Sequence, residues 1–485
     1  MRIAGTLLAD PAGTDPQQHL SLMHGWVPLT VQALTVALLL AAIGWRTRRW
    51  RMVWLPIAVG IGVALSVAAY WYVSSEGLAS DPAPNLLWIW ITVLGGALVV
   101  LVAGWRGARW WRRGASLIAI PLALLCTALA VNLWVGYFPT VQTAWNQLTA
   151  GPLPDQTDQA TVVAMQKART IPAKGTVVPV DIGSTPSGFK HRGELVYLPP
   201  AWYATNPPPP LPTMMMIGGE FNTPADWMRA GNAIKTADDF ASSHGGNAPV
   251  LVFVDSGGAF NNDTECVNGT RGNAADHLTE DVPRFMETTY GVSANPAKWG
   301  IVGWSMGGTC AVDLAVMHPD EFSTFEDIAG DIAPNSGNKQ QTIQRLFGGN
   351  AAAYATFDPT SVMRQHDRYS GVSGWFAISG TASVTNAPTT VNAANSGGNG
   401  MGGRDPAGHT SDQTAAATSL CGTGATKGIA CAVVAQPGKH DWPFAARAFV
   451  AALPWLAGQL GTPGVPAEPL PASEPPAPTV EAAGR

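Results

Sequence analysis

Ser305 is the residue whose neighbours give it chemistry. It stands in Gly303-Trp304-Ser305-Met306-Gly307-Gly308, after Lys298-Trp299-Gly300-Ile301-Val302 and before Thr309-Cys310-Ala311-Val312-Asp313-Leu314-Ala315. The first flank reads as a short buried strand, the second as an amphipathic helix. A serine in G-x-S-x-G between strand and helix sits on a sharp turn with its hydroxyl projecting above the sheet. Gly303 and Gly307 omit Cβ atoms where strand and helix nearly collide, so the turn tolerates a strained conformation at Ser305. Such a serine attacks acyl carbons once a base takes its proton. The bare pattern is cheap in a chain with 53 Gly. The flanking strand and helix make it specific.

The supporting residues of such a serine follow in the order Ser, acid, His, with the His on the loop after the last strand. His440, in Pro437-Gly438-Lys439-His440-Asp441-Trp442, has that place. Its rival His409 lies before the last strand, and His318 follows the elbow helix and reads as structural. Two backbone N–H groups must meet the developing oxyanion. One is that of Met306; the other is that of Glu220 or Phe221, in the glycine-led loop Gly218-Gly219-Glu220-Phe221. The acid should follow the strand Trp375 to Ile378, yet Gly380-Thr381-Ala382-Ser383-Val384-Thr385 holds no carboxylate. Asp405 is the favoured acid, with Asp412 and Asp331 as alternatives; each also reads as a solvated loop carboxylate or a helix cap.

These residues need a sheet. Thr176 to Ile182 and Gly193 to Leu198 read as an antiparallel opening pair, and Thr213 to Ile217 and Val250 to Val254 as buried strands. Helices are expected from about Trp227 to His244 and about Ala274 to Tyr290. Further strands are expected at Phe325 to Ala329, Gly374 to Ile378 and Ile429 to Ala435, with helices near Ser411 to Cys421 and from Trp442 to Leu460. Strands alternating with helices predict a parallel α/β sheet with its ligands at the carboxyl ends of the strands. Thr381 to Gly403, rich in Asn, Gly, Thr and Ser, reads as a long mobile loop, and the Pro/Ala-rich residues 461–485 as a disordered tail.

The first third of the chain differs. Nineteen Trp and a mean hydropathy of +0.10 are high for a soluble enzyme. Four apolar segments, Trp26 to Trp45, Val53 to Val73, Leu86 to Trp105 and Ser116 to Tyr137, are each about 20 residues, enough to cross a bilayer as helices. Arginines cluster between the first and second segments and between the third and fourth, whereas Ser74 to Asn85 has no Lys or Arg. The positive-inside rule puts both arginine loops in the cytoplasm, and hence residues 1–25 and everything after Tyr137 outside. The spans carry nothing ionisable, which argues for an anchor rather than a transport path. The expected order is thus residues 1–25 outside, 26–137 in the membrane, a linker 138–174, a catalytic domain 175–460 and the tail. A net charge of −5 offers no basic field for nucleic acid. No metal-type Cys pair occurs among the five Cys, and no cofactor is called for. Outside the cell disulfides persist; Cys421 with Cys431 and Cys266 with Cys310 are the expected pairs, the alternative being four free thiols.

The strand into Asp255-Ser256-Gly257-Gly258, the segment His277-Leu278-Thr279-Glu280-Asp281-Val282-Pro283, the elbow, His318-Pro319 and His440-Asp441-Trp442-Pro443 together resemble the esterase family that includes esterase D and the antigen 85 mycolyltransferases. The resemblance covers roughly residues 175 to 460 and implies an α/β-hydrolase fold with Ser305 as nucleophile, His440 as base and Met306 as an oxyanion donor. The antigen 85 acid, a glutamate shortly after the strand matching Trp375 to Ile378, has no counterpart here, and the four-span anchor resembles membrane-bound esterases of actinobacteria. The expectation is a membrane-anchored serine esterase or acyltransferase facing an ester or glycolipid substrate in the envelope. The alternative is a hydrolase fold kept as an envelope-binding or scaffold module.

Overall fold

The computed structural model describes residues 20–45, 47–76, 83–106, 108–149, 153, 155–379, 385–386 and 411–471. Asp405, His409, the polar stretch Thr381 to Gly403 apart from residues 385–386, and the end of the tail lie outside the described residues. The chain divides into two compact units, Met1–Tyr70 with Ala83–Ala150, and Trp71–Pro82 with Gly151–Arg485.

In the first unit, helices α1 (Trp26–Ala42), α2 (Leu55–Glu76), α3 (Asn85–Trp105) and α4 (Trp110–Val135) follow one another, with a short π-helical turn Trp50–Trp54 leading into α2. Three stretches, Trp50–Ser74, Asn85–Trp105 and Trp110–Val135, are long and apolar enough to cross a membrane. The four expected spans thus become three clear ones and a shorter apolar helix. At 17 residues, α1 rises only about 25 Å against a hydrocarbon core of about 30 Å. Its carboxyl end is held by Arg112 at the start of α4, whose Nη2 donates to the Ala42 carbonyl at 2.6 Å. At the other end Ser21 pairs with Thr140, so the chain enters α1 and leaves α4 at one end of the bundle. Glycine lets α2 and α3 touch: a Cβ on Gly62 would lie 2.2 Å from the Thr92 carbonyl oxygen. Large apolar side chains point outward, Val102 and Trp110 among the most exposed.

The second unit is built on a sheet of β1 (Thr176–Val180), β2 (Glu194–Leu198), β3 (Thr213–Ile217), β4 (Val250–Val254), β5 (Trp299–Trp304), β6 (Thr324–Ile328), β7 (Ser373–Ser379) and β8 (Ala430–Gln436), in the spatial order 1-2-4-3-5-6-7-8. Strands β3 to β8 pair in parallel; β1 and β2 are antiparallel, and Thr385–Asn386 adds a short antiparallel edge beyond β8. Strands β2 to β6 are buried at every position, which is why β3, β4 and β5 read as nearly unbroken apolar runs rather than alternating ones. This is the α/β-hydrolase sheet, with strand order reversing around β3 and β4 and the functional loops at the carboxyl ends.

The helix expected from Trp227 to His244 is broken into Asp226–Arg229 and α5 (Ala233–Ser243). Asn232, at φ 55°, makes the break, since a left-handed residue cannot continue a right-handed helix. Helices α6 (Val282–Tyr290), α7 (Met306–Met317), α8 (Ser411–Lys427) and α9 (Trp442–Gln459) are among those that accompany the sheet. Disulfides join Cys266 to Cys310 and Cys421 to Cys431. The first ties the loop after β4 to the helix behind Ser305, closing a separation of 44 residues; on the chain-entropy account a loop of that length is stabilised by ~4 kcal/mol.

Three acids are buried at one strand and the helix packed on it: Glu326 and Asp327 on β6, and Asp313 on α7. Neither Glu326 carboxyl oxygen has a hydrogen-bond partner, and burial, then the charge of Asp327, pushes its pKa well above the ordinary value. Glu326 is therefore a neutral acid in the folded protein and ionises on unfolding. A raised folded pKa gives stability that is complete below the unfolded pKa and is lost as pH rises toward the folded one. Glu326→Gln is expected to remove that loss, so its melting temperature should exceed wild type at neutral and alkaline pH and converge with it near pH 4 (about the ordinary glutamate pKa). Melting curves across that range check it.

Candidate active site

The elbow is made by close approach. A Cβ on Gly303 would lie 1.7 Å from the Gly307 carbonyl oxygen, one on Gly307 2.4 Å from that of Ile217, and one on Gly308 2.3 Å from Asp327 Oδ1. With side chains absent there, α7 sits directly on β3, β5 and β6. The turn between β5 and α7 puts Ser305 at φ 58°, ψ −120°, a region that costs a non-glycine residue about 1–3 kcal/mol. The Ser305 N–H donates to the Ile328 carbonyl on β6 at 2.9 Å, and Gly308 donates back to the Ser305 carbonyl at 2.8 Å. The hydroxyl is left facing the loops.

His440 lies on the loop between β8 and α9, and its Nε2 is 2.9 Å from Ser305 Oγ. The loop is fixed from both sides: Arg447 Nη2 donates to the Pro437 carbonyl at 2.9 Å, and Asp441 caps α9 by accepting from the Phe444 N–H at 2.9 Å. The Trp304 ring packs on the His440 imidazole, centroids 4.3 Å apart and planes 32° apart. A neutral imidazole at this distance can accept a serine proton, and an aromatic face favours the cation that would result.

The loop after β3 faces the serine from the opposite side. A Cβ on Gly219 would be 3.2 Å from the Ser305 Cβ, so only glycine allows the approach. Phe221 takes a left-handed φ of 66°. The loop is knotted by Asn222, whose Oδ1 accepts from the Gly219 N–H at 2.9 Å and whose own N–H donates to the Gly219 carbonyl. Arg192 braces this turn: Nη2 donates to the Asn222 carbonyl at 2.7 Å and to Asp255 Oδ1 at 2.6 Å. Burial pushes the Asp255 carboxyl up, but the bonds and charge from Arg192 outweigh it and hold the group below its ordinary pKa. An arginine–carboxylate pair at the end of β4 thus sets the loop next to Ser305. Among the described residues neither the Met306 nor the Phe221 backbone N–H has a protein acceptor. Both belong to segments bordering the serine hydroxyl. Glu220 precedes Phe221 on the loop after β3 and has an interaction of its own.

Of the candidate acids, Asp331 follows β6 and its Oδ2 accepts from Asn335 Nδ2 at 2.5 Å. Asp412 stands in the first turn of α8, and Asp405 is outside the described residues. Among the described residues, Gln413 has its amide nitrogen 2.8 Å from Nδ1 of His440. Sequence reasoning passed over it because it searched for a carboxylate; the available signal was a glutamine opening the helix that precedes β8.

Behind β2, His277 is wedged between carboxylates, Nδ1 3.0 Å from Asp281 Oδ2 and Nε2 2.9 Å from Glu194 Oε1. His191, Glu194 and His277 bring possible ligand atoms within 4.8 Å of one another. The two imidazoles are stacked, however, with centroids 4.3 Å apart and planes 19° apart, so their in-plane lone pairs run side by side rather than converging. Burial alone would lower the pKa of His277, but Glu194 and Asp281 outweigh it and raise it. Glu194, His277 and Asp281 pin the helix leading into α6 to β2.

The Esterase family model, described as "Putative esterase", matches residues 190–456. An uncharacterised protein of Corynebacterium glutamicum is 30% identical over 361 residues, 72% of this chain and 82% of its own length. The MPT51 antigen of Mycobacterium leprae is 29% identical over 153 residues, 29% of this chain and 48% of its own. The diacylglycerol acyltransferase/mycolyltransferase Ag85A of Mycobacterium ulcerans is 33% identical over 81 residues, 17% of this chain and 23% of its own. The chain thus spans less than half the length of either mycobacterial relative.

Proposed function

This chain belongs to the Esterase family and is a carboxylic-ester hydrolase or acyltransferase; on that premise we propose that it works through an acyl-enzyme on Ser305, outside a membrane to which its apolar helices anchor it. The observation that carries the reading is the Ser305 Oγ–His440 Nε2 distance of 2.9 Å on a left-handed elbow. His440 takes the hydroxyl proton as Oγ attacks the ester carbonyl carbon. The carbonyl oxygen gains charge and is met by the N–H of Met306 and by that of Glu220 or Phe221 on the loop after β3. Collapse of the tetrahedral intermediate breaks the bond to the alkoxy oxygen, which leaves with the proton from His440. Water or a second alcohol, deprotonated by the same imidazole, then attacks the acyl-enzyme and regenerates Ser305. Acyl transfer to a hydroxyl of an envelope lipid or sugar fits the name carried by the Mycobacterium ulcerans relative and the proposed position beside a bilayer.

The arginine-bearing ends of the helices support a cytoplasmic side and an outward-facing hydrolase. The apposition of Ser21 and Thr140 agrees with an even number of crossings, α1 included. One experiment reads both chemistry and side: cells bearing the full-length protein are given a charged, membrane-impermeant chromogenic ester. Hydrolysis by intact cells, lost in His440→Ala, is expected. Hydrolysis that appears only after permeabilisation overturns the orientation, and none with a folded protein under either condition overturns the activity.

A further inference from the structure

Three segments far apart in sequence meet at one guanidinium. Arg192 lies just before β2, Asp255 just past the end of β4, and Asn222 at the close of the turn after β3. The buried Asp255 carboxylate accepts from Arg192 three times: from Nε at 3.0 Å, from Nη2 at 2.6 Å and from the backbone N–H at 2.6 Å. It also accepts from the N–H groups of Gly257 at 3.3 Å and Gly258 at 3.1 Å, on its own loop. Nη2 carries two protons, and the second goes to the Asn222 carbonyl at 2.7 Å. A planar fork with fixed donor directions serves both partners at once, as a point charge would not.

The turn that receives this bond is strained. The Asn222 N–H donates to the Gly219 carbonyl at 3.1 Å, which makes Gly219 to Asn222 a β-turn, and its third residue, Phe221, is at φ 66°. A left-handed third residue is the type II pattern, which asks for glycine or asparagine there. Phenylalanine in that place persists only where its surroundings over-determine it. The Asn222 side chain supplies one hold, accepting from the Gly219 N–H at 2.9 Å. Arg192 supplies another from outside the turn. Glu220 and Phe221, whose N–H groups are the two candidates for the second oxyanion donor, are the central residues of this turn.

We propose that Arg192 is a positioning residue for the oxyanion site. Clamped on Asp255, it fixes the Asn222 end of the strained turn, and with it the place where the turn's N–H meets the substrate oxygen. The inference rests on the reading of Ser305 given above. Arg192 acts through the turn, so its effect falls on the tetrahedral species, where the oxygen carries charge, and little on the bound ester.

The test uses full-length protein in detergent. It measures kcat and KM for a nitrophenyl ester beside the Ki of a trifluoromethyl ketone, which adds to a serine hydroxyl as a tetrahedral oxyanion. Arg192→Ala is expected to lower kcat by about 10²-fold, the loss that follows removal of one oxyanion donor, and to weaken the ketone by a similar factor. KM should stay within about threefold of wild type, since the interaction lost is one made in the transition state. Arg192→Lys keeps a charge beside Asp255 but lacks the fork; it is expected to melt near wild type and to lose kcat and ketone affinity in parallel, by about tenfold. The lysine variant decides the matter if Arg192→Ala does not fold. Wild-type kcat and ketone affinity in a folded variant overturn the assignment. So does a fall in kcat with ketone binding unchanged, or a KM that rises while kcat holds. A folded wild type that neither turns over ester nor reacts with a fluorophosphonate at Ser305 overturns the underlying site, a result distinct from these.

Discussion

Ser305→Ala is expected to reduce kcat for an activated ester by roughly 10⁴- to 10⁶-fold, with the protein still folded and its melting temperature unchanged or slightly lowered. The size follows from the role: removing the nucleophile of a serine triad costs that much, and what survives comes from the oxyanion site and binding. The structural side follows from the backbone. Ser305 holds φ 58° whatever its side chain, and alanine carries the same Cβ, so the strain of the turn is not relieved. The hydroxyl loses one hydrogen bond, to His440, and that bond is part-buried. Initial-rate kinetics beside thermal melts of the two proteins separate the effects. A loss of under tenfold would mean that Ser305 is not the nucleophile.

Gly303→Ala is expected to be the most damaging single substitution for the fold. The added Cβ would stand 1.7 Å from the Gly307 carbonyl oxygen and 2.1 Å from its carbon. Those atoms are backbone of the first turn of α7, and that turn is itself pressed on the end of β3. Neither strand nor helix can step back without opening the core around Met306, Cys310 and Ile301, all in one buried cluster. A clash that only backbone movement relieves belongs to the rare class above about 4–5 kcal/mol, against a net stability of about 5–15 kcal/mol for a whole domain. Gly303→Ala should melt far below wild type or fail to accumulate folded. Gly183→Ala, at a site with no atom near the added Cβ, should melt with wild type. Equal melting of all three would contradict the close packing of β5 on α7.

The elbow and the place of His440 beside it were legible because their signals are local. Gly303 to Gly308 carries its own strand and helix, and His440 is placed by following the last strand. The buried strands were legible for the same reason, as apolar runs between turn residues. What escaped is held by contacts between distant positions. Arg192 reaches Asp255 and Asn222 across sequence separations of 63 and 30 residues, and no spacing rule connects them. Gln413 escaped by type rather than distance, since an amide is absent from the usual vocabulary of acid, base and nucleophile. The break at Asn232 was masked by an amphipathic pattern that runs through it. In the helical unit composition revealed apolar segments, while the short reach of α1 depended on where its last turn ends at Ile43, whose extended backbone stops the helix.

The most direct test of the account is the site of covalent capture. Full-length protein in detergent would be treated with a fluorophosphonate, digested, and mapped by mass spectrometry. The account predicts a single phosphonylated residue, Ser305, with labelling slowed by His440→Ala and abolished by Ser305→Ala. A folded protein that takes no label, or takes it on another residue, would contradict it.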